Sequence, residues 1–128
     1  MGVLGMAAMQ IRALKGNNSS MQRTQAVVMS YYILDAMRVD KAKAKALDYN
    51  TGTQPVCDPA SQTGSTLAKV NLKHWIESLK ETIGNASDTS TCGSVTCDAD
   101  GKCTVKVLWD DERAGGQGKQ TVETQTNL

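Results

Sequence analysis

Residues 2–47, GVLGMAAMQIRALKGNNSSMQRTQAVVMSYYILDAMRVDKAKAKAL, decide the fold. They contain no proline and favour helix nearly throughout. Leu4, Ala7, Ala8, Ile11 and Leu14 recur at helical spacing. Ala26, Val27, Ser30, Ile33, Leu34 and Met37 form a second stripe at i, i+1, i+4, i+7, i+8 and i+11. Between the stripes, residues 16–20 (GNNSS) are polar and include glycine, the weakest ordinary helix former. They either fray or kink the helix, or form a solvated stretch of it. Because periodicity resumes on both sides, a continuous helix to Leu47 is expected, about 70 Å long at about 1.5 Å per residue. A 128-residue chain does not need so long a helix. One end must project, with its apolar face covered by something else.

Beyond this helix, residues 48–66 gather both prolines with Gly, Asn, Asp, Ser and Thr, which predicts an irregular loop. A second helix follows, with Asn71 as its expected N-cap, an apolar face of Leu72, Trp75, Ile76, Leu79 and Ile83, and Gly84 at a left-handed C-terminal position. Trp75 is expected to pack on the sheet or on the upper part of the first helix. Residues 94–97 and 103–109 read as two strands around an Asp-Gly turn at 98–102, with Val105, Val107 and Trp109 facing inward. Residues 110–119 read as a mobile glycine-rich connection, and 121–126 as a weak last edge strand. The fold class is α+β in one domain: helix over 1–47, loop and second helix over 48–93, strands and tail over 94–128. Its expected core is Ile33, Leu34, Met37, Trp75, Ile76, Leu79, Val105, Val107 and Trp109.

Four cysteines, Cys57, Cys92, Cys97 and Cys103, lie in the loop-rich half. An even count in a small chain of low aromatic content reads as two disulfides and an oxidising compartment. Zinc would call for tightly paired spacings, which are absent, and the lone His74 lies on a separate helix. Cys97 and Cys103 flank the hairpin turn, which favours bonding them to each other and Cys57 to Cys92. Cys92–Cys97 with Cys57–Cys103 is the competing pattern.

The chain has 14 basic and 13 acidic residues, which offers no case for nucleic-acid binding. The distribution is uneven: residues 1–47 hold seven basic side chains and two acidic, the remainder seven and eleven. A basic helix beside an acidic head could help subunits stack, or the helix simply has a solvated basic face. No intact export signal is present, and residues 1–9 are apolar but too short to span a bilayer. The expectation is therefore an N-terminally truncated soluble form whose apolar stub is the tail of a membrane helix.

Residues 2–10 (GVLGMAAMQ), Arg12-Ala13-Leu14, residues 18–26 (NSSMQRTQA) and residues 33–38 (ILDAMR) resemble the first helix of PilV-type minor pilins. The head resembles theirs in order: a helix with Asn71-Leu72 and Trp75, then a Cys-flanked hairpin ending in residues 105–111 (VKVLWDD). The resemblance covers most of residues 2–111 and implies a type IV pilin-like fold, with a long N-terminal helix packed on a small antiparallel sheet. It implies a structural protein, not an enzyme, that primes pilus assembly in a minor-pilin tip complex. Its implied partners are other minor pilins, the major pilin and a tip-associated adhesin. It would sit in the inner membrane with a periplasmic head before assembly, and on the cell-surface pilus after it. Leu4, Ala7, Ala8, Ile11 and Leu14 become the assembly face. The family's cleavage site and apolar half-helix are not in this chain. A minor pseudopilin of a type II secretion system, and a pilus-displayed ligand- or DNA-binding module, are the alternatives.

Other features read more simply. His74 is expected on the surface, Asp98-x-Asp100-Gly101 lacks the later ligands of a calcium loop, and residues 110–112 (DDE) suit a solvated loop. Lys41, Lys43 and Lys45 have no interleaved aromatics for nucleic acid. No nucleophile–His–acid set or phosphate loop is evident, and no cofactor is expected. Thiol titration of the denatured, unreduced chain should find essentially no free thiol; four free thiols would overturn the oxidising-compartment reading.

Overall fold

The structure, a computed structural model, describes residues 2–85, 88–110 and 118–128, with side chains from residue 20 onward. Helix α1 is Gly2–Val39, unbroken through residues 16–20, followed by α2, Lys41–Lys45. A 3-10 turn at Pro59–Ser61 precedes α3, Leu67–Thr82. Strands β1 (Cys92–Cys97), β2 (Lys102–Asp110) and β3 (Lys119–Asn127) form an antiparallel sheet in the order β1-β2-β3. The fold is α+β: a long helix, a three-stranded antiparallel sheet and two disulfides, Cys57–Cys92 and Cys97–Cys103.

Helix α1 ends eight residues before the expected Leu47. Asp40 leaves helical geometry (φ −116°, ψ 43°), and its carboxylate accepts the Tyr49 hydroxyl at 3.1 Å. The Asn71 amide donates to that phenolic oxygen at 2.9 Å, tying the break to α3. Burial pushes the Tyr49 phenol above its ordinary pKa, with Asp40 adding to the rise and Asn71 opposing it. Helix α2 then closes in a Schellman cap: Asp48 N–H donates to Lys43 O at 3.0 Å, and Leu47 N–H to Ala44 O at 3.1 Å. The left-handed residue of that cap is Leu47, at φ 69°, where glycine is usual.

Helix α3 also differs from its expected bounds. Its N-cap is Thr66, whose hydroxyl accepts Lys69 N–H at 3.3 Å, so Asn71 lies inside the helix. The earlier start buries Ala68 one turn before Leu72. Gly84 does not adopt a left-handed conformation. Glycine is needed there for space, because a Cβ would stand 2.1 Å from Asp88 Oδ2 and from Thr91 Oγ1.

The core is one cluster joining α1, α3 and the inner face of the sheet. Ile33, Leu34, Met37, Trp75, Ile76, Leu79, Val105, Val107 and Trp109 are all buried in it. Val27, grouped by spacing with the core stripe, lies outside it and is exposed. Ser30 is the polar member of that stripe; its hydroxyl donates to Ala26 O at 2.9 Å, which satisfies it within its own helix. Trp75 is fully buried and its indole N–H donates to Met29 O on α1 at 2.9 Å. The far edge of the same ring rests on Gly93 of β1, where a Cβ would approach two ring carbons at 2.6 Å. One side chain of α3 thus joins that helix to α1 and to β1.

The outer edge of β1 is closed by the loop before α3. Val56 exchanges backbone bonds with Gly93 at 2.7 and 2.9 Å. Thr51 N–H donates to Val95 O, and its hydroxyl accepts Val95 N–H. The Asn50 amide accepts Cys97 N–H at 2.7 Å and donates to Cys97 O at 3.2 Å. Closing the 35-residue separation between Cys57 and Cys92 contributes about 3–4 kcal/mol on the chain-entropy argument, and it holds this loop against β1.

Substituting Gly93→Ala should cost about 2–3 kcal/mol, because the added methyl meets the ring of a residue pinned from its other side. Urea denaturation measures this as a lower midpoint at unchanged slope. A midpoint equal to wild type would remove Gly93 from this role.

Candidate assembly surface

Helix α1 carries two apolar faces. Ala26, Ser30, Ile33, Leu34 and Met37 point into the core. Met21, Val28, Tyr32 and Val39 lie on the opposite side and are 58%, 60%, 45% and 88% exposed. At 100° per residue these four fall within about 20° of one line along the helix. Tyr31 widens the patch on one flank. A run of large apolar residues on the solvent side of a helix marks a surface that another element covers. The predicted face residues Leu4, Ala7, Ala8, Ile11 and Leu14 lie on α1, but their side chains are outside the described residues.

The head holds α1 so that this second face points away. Along β3, Arg23 Nη1 donates to Gln120 Oε1 at 3.4 Å and Arg38 Nη2 to Thr126 Oγ1 at 3.3 Å, so the helix runs beside that strand. The exposed Arg38–Asp35 pair at 2.8 Å is worth at most about 1 kcal/mol. At the other flank, the Gln22 amide donates to Ile83 O at 3.1 Å, tying α1 to the end of α3.

That end of α3 is closed by a polar knot around Asp88. Its carboxylate accepts N–H from Asn85 at 2.7 Å, Ser90 at 3.2 Å and Thr91 at 2.8 Å, and the Thr91 hydroxyl at 2.9 Å. Lys80, 4% exposed, reaches the Asp88 backbone carbonyl and lies 3.8 Å from the carboxylate. Burial acts to raise the Asp88 pKa, but the Asn85 and Thr91 amides, the Thr91 hydroxyl and the Lys80 ammonium outweigh it, holding the carboxyl below the ordinary range. Beside the knot lies an open cavity of about 480 Å³ lined by Gln22, Ile83, Gly84, Asp88, Ser90, Thr91 and Asp110. Among the described residues, buried Gln22 Oε1 and Trp109 Nε1 meet no hydrogen-bond partner.

The remaining predicted features fall apart from one another. Lys41, Lys43 and Lys45 line α2, with Lys41 and Lys43 exposed. His74 is exposed beside a depression shared with Lys69 and Lys73. Asp98 Oδ1 accepts Asp100 N–H and Lys102 N–H, both at 3.0 Å, which is turn chemistry closing the β1–β2 hairpin. Asp110 ends β2, and residues 111 and 112 lie outside the described residues. Among the described residues, no three His, Cys, Asp or Glu side chains gather to hold a metal ion, and no helix is long and apolar enough to cross a membrane.

Sequence reasoning missed the exposed stripe and the Asp88 knot. The stripe had a signal, since Met21, Val28 and Tyr32 follow Leu14 at spacings of seven, seven and four. The knot had only Asn85-x-x-Asp88-x-x-Thr91, which also fits an ordinary loop. No protein-family model matches this chain, and neither a curated protein nor a solved structure matches it.

Asp88→Asn should destabilise the fold by about 2–3 kcal/mol, because Lys80 stays buried without its counter-charge. A carboxyl with a lowered folded pKa adds stability at pH values above its unfolded pKa, and loses it as pH falls toward the folded one. Wild type should therefore lose stability below about pH 4 more steeply than the Asn variant. Parallel denaturation curves against pH measure this, and identical acid limbs would exclude Asp88 as the cause.

Proposed function

We propose that this chain is a structural minor pilin, a subunit that helps prime type IV pilus assembly within a tip complex. The observation that carries the reading is the two-faced helix α1. One apolar face is consumed by the head, and the opposite face stays exposed at Met21, Val28, Tyr32 and Val39. In sequence the exposed line continues at heptad spacing through Leu14, Ile11, Ala7 and Leu4, which suits one long helix packed among neighbouring helices. The disulfides, each closed within the head, suit a periplasmic or surface location. The α+β arrangement is compatible with a pilin-like head on its assembly helix.

On this reading the partners are other minor pilins, the major pilin and a tip-associated adhesin, met through α1. The head waits in the periplasm, held to the inner membrane through an apolar extension of α1, until the subunit enters the filament. No catalytic step is assigned. The same architecture would serve a minor pseudopilin of a type II secretion system, and the genetic test separates the two.

Val28→Asp with Tyr32→Asp in the native gene should leave the melting temperature of the purified head within a few degrees, because both side chains face solvent. Piliation, counted by microscopy and shear recovery, should fall to that of a deletion strain. Normal pilus numbers in both strains would sink the pilus reading, and a block in exoprotein secretion with pili spared would select the pseudopilus.

A further inference from the structure

The two edges of the sheet are finished differently. On β1 the outward backbone groups belong to Gly93, Val95 and Cys97, and Val56, Thr51 and Asn50 satisfy all of them. In an antiparallel sheet the direction of bonding alternates residue by residue. Val105, Val107 and Trp109 of β2 therefore bond to Thr124, Val122 and Gln120 of β3. The outward groups of β3 then belong to Lys119, Thr121, Glu123, Gln125 and Asn127. Among the described residues, no hydrogen bond reaches the backbone of Thr121, Glu123 or Gln125 from the open side. Their side chains are exposed, as are those of Lys119 and Asn127.

Charges on an edge strand usually block pairing with another chain. Here the strand carries both signs four residues apart, Lys119 and Glu123, and an antiparallel copy of itself presents them in reverse order. We propose that a second copy of this chain adds its own β3 to this edge, antiparallel about Thr121, joining the two sheets into one of six strands. In that register Thr121 faces Thr121, and Lys119 of each copy faces Glu123 of the other. These residues all direct their backbone groups outward, so each facing pair exchanges both of its backbone bonds.

The flanking strands extend the match. Within one sheet Lys106 stands opposite Glu123, and Asp110 opposite Lys119. Across the joined sheet one row reads Lys106, Glu123, then Lys119 and Asp110 of the other copy, alternating in sign throughout. The two-fold axis repeats the row. A register centred on Glu123 would set two carboxylates against each other, and one centred on Lys119 two ammonium groups. Opposite charges directly across a pair favour it, and like charges oppose it. Of these registers, the one about Thr121 alone sets opposite charges directly across from each other, and the charges of this strand favour it.

Sedimentation of the full chain over a range of concentrations tests the proposal. Wild type should dimerise, and Lys119→Glu or Glu123→Lys alone should weaken dimerisation at least about tenfold by setting like charges opposite. An equimolar mixture of the two variants should recover it, because every facing pair is again opposite in sign. Hydrogen exchange should show the Thr121 and Glu123 amides of wild type gaining protection as concentration rises. A monomer at all concentrations overturns the proposal, as does a mixture that associates no better than either variant. Protection confined to α1 at high concentration, with Thr121 unchanged, assigns self-association to the helix instead and equally overturns it.

Discussion

The indole of Trp75 is the contact through which helix, helix and sheet are set relative to one another. Its N–H is bound to the Met29 carbonyl in the C-terminal half of α1, and its ring edge lies against the one β1 residue with no side chain. The bond fixes the rotation of α3 against α1, and the absent Cβ fixes how closely β1 approaches. The neighbours of Gly93 then follow: Cys92 carries the disulfide to the loop, and the loop's Val56 pairs back onto Gly93 itself. A tryptophan in a chain without phenylalanine therefore fills much of the centre and orients it at the same time.

With α1 held in this way, its exposed line cannot turn inward to meet the core. Rotating the helix to bury Val28 or Tyr32 would break the Met29 contact and expose Ile33 and Met37. The apolar line therefore stays available, and it is the physical basis for reading the chain as a subunit of something larger. The Asp88 knot and the Gln22–Ile83 bond secure the end of the head where α1 leaves it.

Much of this was legible from spacing. Leu72, Trp75, Ile76 and Leu79 share a helical face at any plausible start of α3, and a hairpin turn between Cys97 and Cys103 brings those residues opposite each other. Boundaries were less legible because several residues could serve the same role. Asn71 is a good cap in isolation, but Thr66 wins because starting a turn earlier buries Ala68. Gly84 fits a left-handed cap by composition, whereas the actual constraint comes from Asp88 and Thr91 crowding it. Periodicity also treated the two faces of α1 alike, since spacing tells which residues share a face and not which face finds a partner. Lys80 was invisible for a similar reason: its burial depends on a carboxylate eight residues away in a loop with no periodic pattern.

The disulfides have a mechanical consequence. Strand β1 begins at Cys92 and ends at Cys97, so it is bonded covalently to other parts of the head at both ends. If tension were applied between α1 and the end of β3, the segments bridged by the two bonds could not pay out. Their separations of 35 and 6 residues correspond to roughly 140 Å of extended chain withheld from stretching. Under load the head would yield first where no covalent bond holds it, at the α1 face and along β3. The stapled centre around Gly93 would remain as a short tether from which the rest could refold.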